Sequence, residues 1–254
     1  MISKNQIKAI RSLENKKGRA REMAFVAEGP KVVADLAELS QPRLVLATAE
    51  WIEKNPEIVA SLRCNCIDVT EEELRKVSFL QHPQQVLAVF PIKNEDEGEA
   101  MPADDELYIA LDGVQDPGNL GTIIRIADWF GISRIFCSRD TADVYNPKVV
   151  QATMGSVARV KVTYVDLEKM IKALPVGMPV FGTFLDGENI YKKCLPQHGI
   201  IVMGNEGKGI SAAIEALVTE KLLIPNFPEG RRTADSLNVA IATAITCSEF
   251  RRGR

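Results

Sequence analysis

Short apolar runs alternate with amphipathic stretches in the first part of the chain, which predicts strands alternating with helices. Strands are predicted at 25–29, 43–47, 65–69 and 86–90. Helices are predicted at 3–21, 30–39 and 49–55. Thr70 and Glu73 have the spacing of a capping box, which starts a further helix. This order predicts a small N-terminal α/β domain over residues 1–92.

The same alternation resumes after a polar interval. Residues 93–106, KNEDEGEAMPADDE, are nearly all charged or turn-forming, which predicts a linker. Further strands are predicted at 107–111, 134–137, 159–163, 179–184, 199–203 and 221–224. Further helices are predicted at 120–130, 147–154, 166–174, 211–218 and 236–252. Repeated βα units predict a second α/β domain over 107–254, with a mainly parallel sheet and helices on both faces.

The stretch 111–131, LDGVQDPGNLGTIIRIADWFG, predicts a strand, a polar turn and a helix. Asn119 is the predicted N-cap, because its side-chain oxygen can accept from a backbone N–H in the first turn, and Gly131 is placed to end the helix. Asn119 and Arg125 then lie near the carboxyl edge of a strand, where open α/β sheets bind ligands. Taken alone, the stretch is also explained by a capping Asn and a solvated Arg.

Two later loops follow predicted strands and are rich in glycine and polar residues. The first, GNEGKG at 204–209, lacks the lysine of a phosphate-binding P-loop, since Ile210 stands in its place. A tight turn is the simpler explanation, but it does not account for Glu206. The second loop runs from Ile224 into SLNVA at 236–240. Ser236 or Asp235 is the predicted helix cap, and Asn238 in the first turn predicts a polar partner.

Composition narrows the class of protein. A hydrophobic content of 46% is sufficient for a packed core. No apolar stretch is long enough to cross a bilayer, and the N-terminus lacks the apolar run of a signal peptide, so a cytoplasmic protein is expected. Five scattered cysteines and two histidines argue against a zinc site or a disulfide framework, and no metal is expected.

The charge is unevenly distributed. The net charge is −3, which argues against a wholly basic nucleic-acid binder, yet the N-terminal segment is rich in lysine and arginine. Local basic clusters can contact phosphate even in an acidic chain, although a solvated helix is the more common explanation. The candidates for RNA contact are Lys16, Lys17, Arg19 and Arg21.

The combination of NLGTIIR (119–125), GNEGKG (204–209) and IPN…SLNVA (224–240) resembles the SpoU/TrmH family of SPOUT RNA 2′-O-ribose methyltransferases. The three motifs appear in the family's order and at the family's strand ends. Residues 19–33 and 82–90 are more loosely similar to the family's N-terminal substrate-binding domain, which resembles certain ribosomal proteins. Each motif is weak evidence by itself, and the three together are specific.

The resemblance implies a C-terminal trefoil knot, S-adenosylmethionine as cofactor and a homodimer whose sites form where two chains meet. It assigns cofactor binding to four residues of the C-terminal half: Thr183, Gly204, Ile224 and Leu237. It assigns the catalytic group to five: Asn119, Arg125, Glu206, Ser236 and Asn238. Arg125 is expected to stabilise negative charge on the ribose 2′ oxygen, because a guanidinium stays protonated.

The expected activity is methylation of a ribose 2′-hydroxyl, with ribosomal RNA favoured by analogy with other two-domain members and no metal required. Transfer RNA is the alternative substrate. A non-catalytic RNA-binding protein on the same fold is a rival from a different class. A methyltransferase that acts on a base or on a protein is a further alternative.

Overall fold

The structure is a computed structural model that describes residues 2–92, 102–103, 105–228, 231 and 234–252. The helices, in chain order, are α1 Lys4–Ser12, α2 Lys16–Glu22, α3 Pro30–Leu39, α4 Ala49–Lys54, α5 Pro56–Ser61, α6 Glu71–Val77, α7 Pro117–Trp129, α8 Pro147–Ala152, α9 Leu167–Lys172, α10 Ala212–Glu215 and α11 Val239–Arg251. The strands are β1 Ala24–Glu28, β2 Leu44–Ala47, β3 Cys66–Asp68, β4 Val86–Pro91, β5 Leu107–Asp112, β6 Arg134–Cys137, β7 Lys161–Tyr164, β8 Val180–Asn189, β9 Gly199–Gly204 and β10 Glu220–Leu223.

The chain forms two compact units. The first unit comprises Met1–Asn94 and Asp143–Ala158, and the second comprises Glu95–Ala142 and Arg159–Arg254. The segment with α8 therefore groups with the first unit, although the sequence pattern assigns it to the C-terminal domain. Most of the predicted linker, residues 93–101 and 104, lies outside the described residues. The domain boundaries at 92 and 107 stay a prediction.

The first unit is built on a four-stranded sheet in the order β1-β4-β2-β3. Strand β4 pairs antiparallel with both β1 and β2, while β3 pairs parallel with β2. Alternate side chains enter different cores: Phe25 and Ala27 pack in one cluster, and Ala24 and Val26 pack in the other. Both faces of this sheet are therefore covered, which explains why every residue of β1 is buried.

The predicted N-terminal helix over 3–21 is wrong, because the segment forms two helices. Helix α1 ends at Ser12, and Asn15 starts α2 by accepting a hydrogen bond from the Gly18 N–H at 2.9 Å. An Asn cap followed by a glycine favours a new start over a continuous helix. Helix α5 was not predicted, whereas the capping box of Thr70 and Glu73 is confirmed.

The second unit contains a six-stranded sheet in the order β10-β8-β9-β5-β6-β7, and every pairing in it is parallel. The predicted mainly parallel sheet is thus confirmed. Tyr108 and Ala110 of β5 pack with residues of α9 and α10, which cover one face. Phe181 of β8 contacts Phe250 of α11 with ring centroids 4.9 Å apart, so α11 covers the other face. The trefoil knot stays a prediction.

Strand β8 is longer than predicted and leaves the sheet part-way along its length. Its pairing with β10 jumps from Lys221↔Gly182 to Leu222↔Glu188, so residues 183–187 form an excursion from the edge. A Cβ at Gly187 would stand 2.5 Å from the Leu222 backbone carbon, which means that only glycine allows the strand to rejoin at this point. This excursion forms one wall of the cavity described below.

Helices α7 and α11 pack side by side and run in the same direction. Their first turns are joined by a hydrogen bond from Asn238 to Asn119 of 2.9 Å. At the other end, the Arg251 guanidinium donates to the backbone carbonyl of Phe130 at 2.9 Å. A cation at this position also interacts favourably with the negative end of the α7 dipole. The two helices therefore present their positive N-terminal ends at the same edge of the sheet.

Candidate active site

Glu206 joins two of the three loops that the motifs predicted. One carboxylate oxygen accepts from the Asn119 side-chain amide at 3.0 Å and from the Asp116 backbone N–H at 3.1 Å. The other oxygen accepts from the Gln115 N–H at 3.3 Å. Asn119 in turn accepts from Asn238, which starts the last helix. Three of the five predicted catalytic residues thus form one hydrogen-bonded chain.

The predicted helix caps are wrong at both helices. The residues that cap them instead explain how the hydrogen-bonded chain forms. Asp116, not Asn119, caps α7: its side chain accepts from the Asn119 backbone N–H at 2.8 Å. Asn238, not Ser236 or Asp235, caps α11, because its side-chain oxygen accepts from Ala240 and Ile241. Since Asp116 caps α7, the carboxamide of Asn119 is available to both Glu206 and Asn238.

The groups at the two ends of this hydrogen-bonded chain determine which way the Asn119 and Asn238 side-chain amides are oriented. A carboxylate can only accept, so Asn119 must present its NH₂ group to Glu206 and its oxygen to Asn238. The backbone N–H groups of α11 can only donate, so Asn238 must present its oxygen to them and its NH₂ group to Asn119. Each of these bonds therefore joins a donor to an acceptor, and reversing the amide would break two bonds at Asn119 and three at Asn238.

The environment of Glu206 keeps it ionised. Burial raises its pKa, but the hydrogen bonds from the Asn119 amide and from the backbone N–H groups of Asp116 and Gln115 outweigh that effect, and the pKa lies below its usual value. The contribution of these contacts to stability is present above the ordinary carboxyl pKa of about 4.3. It is lost as the pH falls through the lower folded-state value.

Asn205 is a site residue that the sequence analysis missed. Its side-chain oxygen accepts from the N–H groups of Gly207 and Lys208, both at 3.0 Å, and its NH₂ group donates to the Gly113 carbonyl at 2.6 Å. It therefore shapes the turn that carries Glu206 and ties that turn to the loop after β5. An Asn at the start of a glycine-rich turn could have suggested this, since Asn commonly bonds the backbone two residues on.

A cavity of about 530 Å³ lies beside this chain. It is lined by the 204–209 turn, the β8 excursion and the segments 222–224 and 235–237. All four predicted cofactor residues line it: Thr183, Gly204, Ile224 and Leu237. Ser236 and Glu206 line it as well. A Cβ at Gly204 would stand 2.2 Å from the Gly209 backbone carbon, so the narrow turn requires glycine there.

Arg125 lies apart from the other predicted catalytic residues. It is exposed on α7, six residues beyond Asn119, which is about 9 Å along the helix axis. It does not line the cavity, and it forms no hydrogen bond or ion pair with another described residue. Trp129, one helical turn further on, is 86% exposed. Within a single chain, Arg125 is therefore not placed at the reacting groups.

The structure separates the four basic candidates for RNA contact. Lys16, Lys17 and Arg21 are exposed. Arg19 is only 3% exposed, and its guanidinium bonds Asp143 at 2.6 Å and the carbonyls of Leu13 and Glu14 at 2.9 Å. Arg19 is therefore a buried structural residue, and its assignment to RNA contact is corrected.

The described residues contain neither a membrane-spanning helix nor a metal-binding cluster. No helix in that part of the chain is long and apolar enough to cross a membrane. Within the same residues, no group of three or more His, Cys, Asp or Glu side chains is arranged to hold a metal ion. Burial raises the pKa of Cys247 to about 12, so this thiol stays protonated at neutral pH.

Comparison with known proteins decides the family. The sequence model of the SpoU rRNA methylase family matches residues 106–248. The chain belongs to the SpoU rRNA methylase family. A second model, the MRM3-like substrate binding domain, matches residues 4–88. The chain is 31% identical over 253 residues to the Bacillus subtilis 23S rRNA (guanosine(2553)-2′-O)-methyltransferase RlmP, covering 98% of this chain and 97% of that one.

Two solved structures with this SpoU fold are similar along their whole length. A TrmH-family RNA methyltransferase from Porphyromonas gingivalis is 40% identical, with a TM-score of 0.86 and full coverage of both chains. An AdoMet-bound rRNA methyltransferase from Sinorhizobium meliloti is 31% identical, with a TM-score of 0.86 and coverage of 99% and 97% of the two chains.

Proposed function

We propose that this SpoU-family chain transfers a methyl group from S-adenosylmethionine to a ribose 2′-hydroxyl of ribosomal RNA. The observation that carries the proposal is the cavity lined by Thr183, Gly204, Ile224 and Leu237, directly beside the hydrogen-bonded chain of Glu206, Asn119 and Asn238. The B. subtilis relative is named as an rRNA 2′-O-methyltransferase, and the S. meliloti relative binds AdoMet, which supports both the reaction and the cofactor.

The cavity suits this cofactor in size and charge. Its volume of about 530 Å³ is within the range of small-molecule sites. Glu215 is paired with Lys221, but Glu206 and Asp235 line it against one cation, Lys208, so the described lining is acidic and complements a positively charged sulfonium. We assign cofactor binding to the backbone of Gly204, Ile224 and Leu237, and to Thr183, whose hydroxyl lies 3.8 Å from the Met203 sulfur.

S-adenosylmethionine supplies an electrophilic methyl group when bound, so the residues of the chain must prepare the ribose hydroxyl. We assign to Arg125 the stabilisation of negative charge that grows on the 2′ oxygen, because its guanidinium stays protonated at any physiological pH. The proton then leaves to phosphate or water. Asn119 and Asn238 orient the ribose, Glu206 holds Asn119 in place, and Ser236 positions the substrate at the cavity.

Arg125 can take this part only if a second chain completes the site. The exposed surface of α7 and the start of α11 carries large apolar side chains: Trp129 is 86%, Leu237 51% and Ile241 53% exposed. Leu237 and Ile241 lie at the start of α11 and Trp129 at the far end of α7, so the apolar exposure extends along the helix pair, which favours an interface there. We propose a homodimer formed through α7 and α11, in which Arg125 of each chain reaches the cavity of the other.

The first unit is the proposed RNA-recognition part. Its match to a substrate binding domain and the exposed side chains of Lys16, Lys17 and Arg21 support this role. RNA is recognised through its shape, its unstacked bases and its phosphates, so binding should weaken steeply with salt. We also propose a cytoplasmic location for the enzyme.

The decisive experiment is methyl transfer to protein-free ribosomal RNA, followed by mass analysis of the nucleosides. We expect 2′-O-methylated nucleosides that depend on S-adenosylmethionine. Arg125→Ala should lower turnover about a hundredfold or more and leave cofactor affinity nearly unchanged, because it removes a charge needed only in the transition state. Arg125→Lys keeps the positive charge but loses the planar guanidinium, so its turnover should lie between those of the unaltered protein and Arg125→Ala.

Three outcomes would contradict the proposal. Retained turnover in Arg125→Ala would refute the role of that residue. A methyl group found on a base or on protein would refute the reaction. An absence of cofactor binding by calorimetry would favour a non-catalytic RNA-binding protein.

A further inference from the structure

A second cavity, of about 290 Å³, lies within the first unit. It opens between Pro30 at the start of α3, one side of α6 and the loop that leads into β4. The buried side chain of Leu74 and the rings of Pro30 and Pro83 give it apolar surfaces. Arg75 and Gln84 add polar groups. No role described so far uses this cavity.

Two polar side chains of the cavity, Arg75 and Gln84, are available to a ligand. The Arg75 guanidinium and the Gln84 carboxamide form no hydrogen bond or ion pair with any other residue in the described part of the chain. Gln84 lies against the backbone of Gly29, where a Cβ would stand 2.5 Å from its side-chain oxygen. Gly29 has a φ of +95°, so a larger residue there would be both strained and in collision with Gln84.

The composition of the lining indicates a neutral ligand with hydrogen-bonding edges. Glu71 balances the charge of Arg75, so the cavity lacks the positive excess that a phosphate or another small anion requires. The Gln84 carboxamide offers both donors and an acceptor, whereas the Gln85 carboxamide already bonds Glu50. Unstacked nucleobases are bound in this way, by side chains that stack on their faces, including Arg guanidinium planes, and that bond their edges.

We propose that this cavity binds an unpaired base of the RNA substrate. The proposal rests on the proposed function and adds a specific contact to it, since all of the lining residues fall within the stretch that matches a substrate binding domain. Helix α3 starts at the cavity with no side-chain cap on its first turn, so its N–H groups can donate to the phosphate beside the bound base.

The test measures the affinity of the full-length protein for protein-free ribosomal RNA. Arg75→Ala and Gln84→Ala should each raise the Kd about tenfold, the effect of one lost strong hydrogen-bonding contact. Lys76→Ala and Gln81→Ala are matched controls, because these exposed neighbours of the same types do not line the cavity. The controls should leave the Kd within about twofold.

Two further measurements use the unaltered protein. A short single-stranded RNA of mixed sequence should compete for binding, and the duplex of the same sequence should compete poorly, because its bases are hidden in the stack. Ultraviolet cross-linking should attach RNA to the peptide that spans residues 71–85. Equal competition by the duplex, or cross-links only elsewhere, would overturn the proposal. So would equal losses in the Arg75 and Lys76 variants.

The outcome is separable from the proposed function. If the cavity variants bind RNA normally and the protein still methylates ribose, the cavity proposal fails while the enzymatic function stands. If no RNA is methylated but the cavity variants lose RNA affinity, the enzymatic proposal fails while the base-binding site stands.

Discussion

At the scale of single residues, the chain from Glu206 through Asn119 to Asn238 sets the geometry of the site. Its members are far apart in sequence and touch through hydrogen bonds of 3.0 and 2.9 Å. The low pKa of Glu206 follows from the donors that surround it. A substitution that removed the donor at position 119 would therefore alter both the charge of the site and the orientation of its side chains.

Asn119→Asp tests this dependence directly. The new carboxylate would face Glu206 at about the 3.0 Å now spanned by the hydrogen bond, and two adjacent carboxylates raise the pKa of one of them. Turnover should fall about tenfold or more at pH 8 and recover in part towards pH 5, where a shared proton restores a hydrogen bond. A pH–rate profile measures this. Asn119→Ala should show no such recovery. Identical pH–rate profiles for both variants would refute the role of the hydrogen bond between Asn119 and Glu206.

At the scale of elements, the excursion of β8 is held against the cavity by Lys221. This lysine sits at the break in register and pairs with Asp186 at 3.1 Å, and its ammonium lies 4.6 Å from the centroid of the Phe184 ring. Glu215 of α10 anchors the same ammonium. The hydrogen bonds to Glu215 and Asp186 raise the pKa of Lys221, so it stays charged at physiological pH.

Lys221→Met is expected to loosen the excursion, because it removes the ammonium group. The methionine side chain still fills the space that the aliphatic part of the lysine occupies. The Kd for S-adenosylmethionine should rise about fivefold, because the variant loses two ion pairs and one cation–π contact that hold the excursion in place. Lys193→Met is the control, since Lys193 pairs with Glu188 and Glu220 on the same two strands, and neither of these lines the cavity, whereas Lys221 contacts the cavity residue Phe184. Calorimetry that shows equal effects of both variants would contradict the role of Lys221.

At the scale of the whole molecule, the proposed dimer determines whether the site is complete. Arg125 is exposed and outside the cavity of its own chain, whereas Glu206 lines that cavity. In a two-fold dimer, each site would combine Arg125 from one chain with Glu206 from the other. The two residues can therefore be inactivated on separate chains.

Co-refolding Arg125→Ala with Glu206→Ala tests this arrangement. Random pairing yields mixed dimers in about half of the molecules, each with one intact site, so about a quarter of the wild-type methyl transfer should return. Each variant refolded alone is the control and should remain inactive. A mixture that stays inactive while size measurements show mixed dimers would mean that Arg125 does not act across the interface.

Much of the fold was determined by the sequence alone, because it depends on local patterns. Apolar runs predicted the strands of the parallel sheet, since a buried strand must be apolar on both faces. Glycine and polar residues predicted the loops after β5 and β9, although Pro117 and Gly118, which the pattern assigns to the turn, form the first turn of α7. The motifs in these loops were sufficient to predict the family.

Only the tertiary structure decided which side chains meet and which are available. A helix cap is the residue at which the backbone leaves the helical conformation, and the sequence pattern does not fix that residue. It therefore could not show that Asp116 and Asn238 cap their helices, or that the Asn119 side chain is available to Glu206. The charge of Arg19 favours solvent, but Asp143, distant in the chain, supplies the partner that makes its burial tolerable. Such contacts depend on how segments distant in the chain pack together, and the local sequence does not show which distant residues will meet.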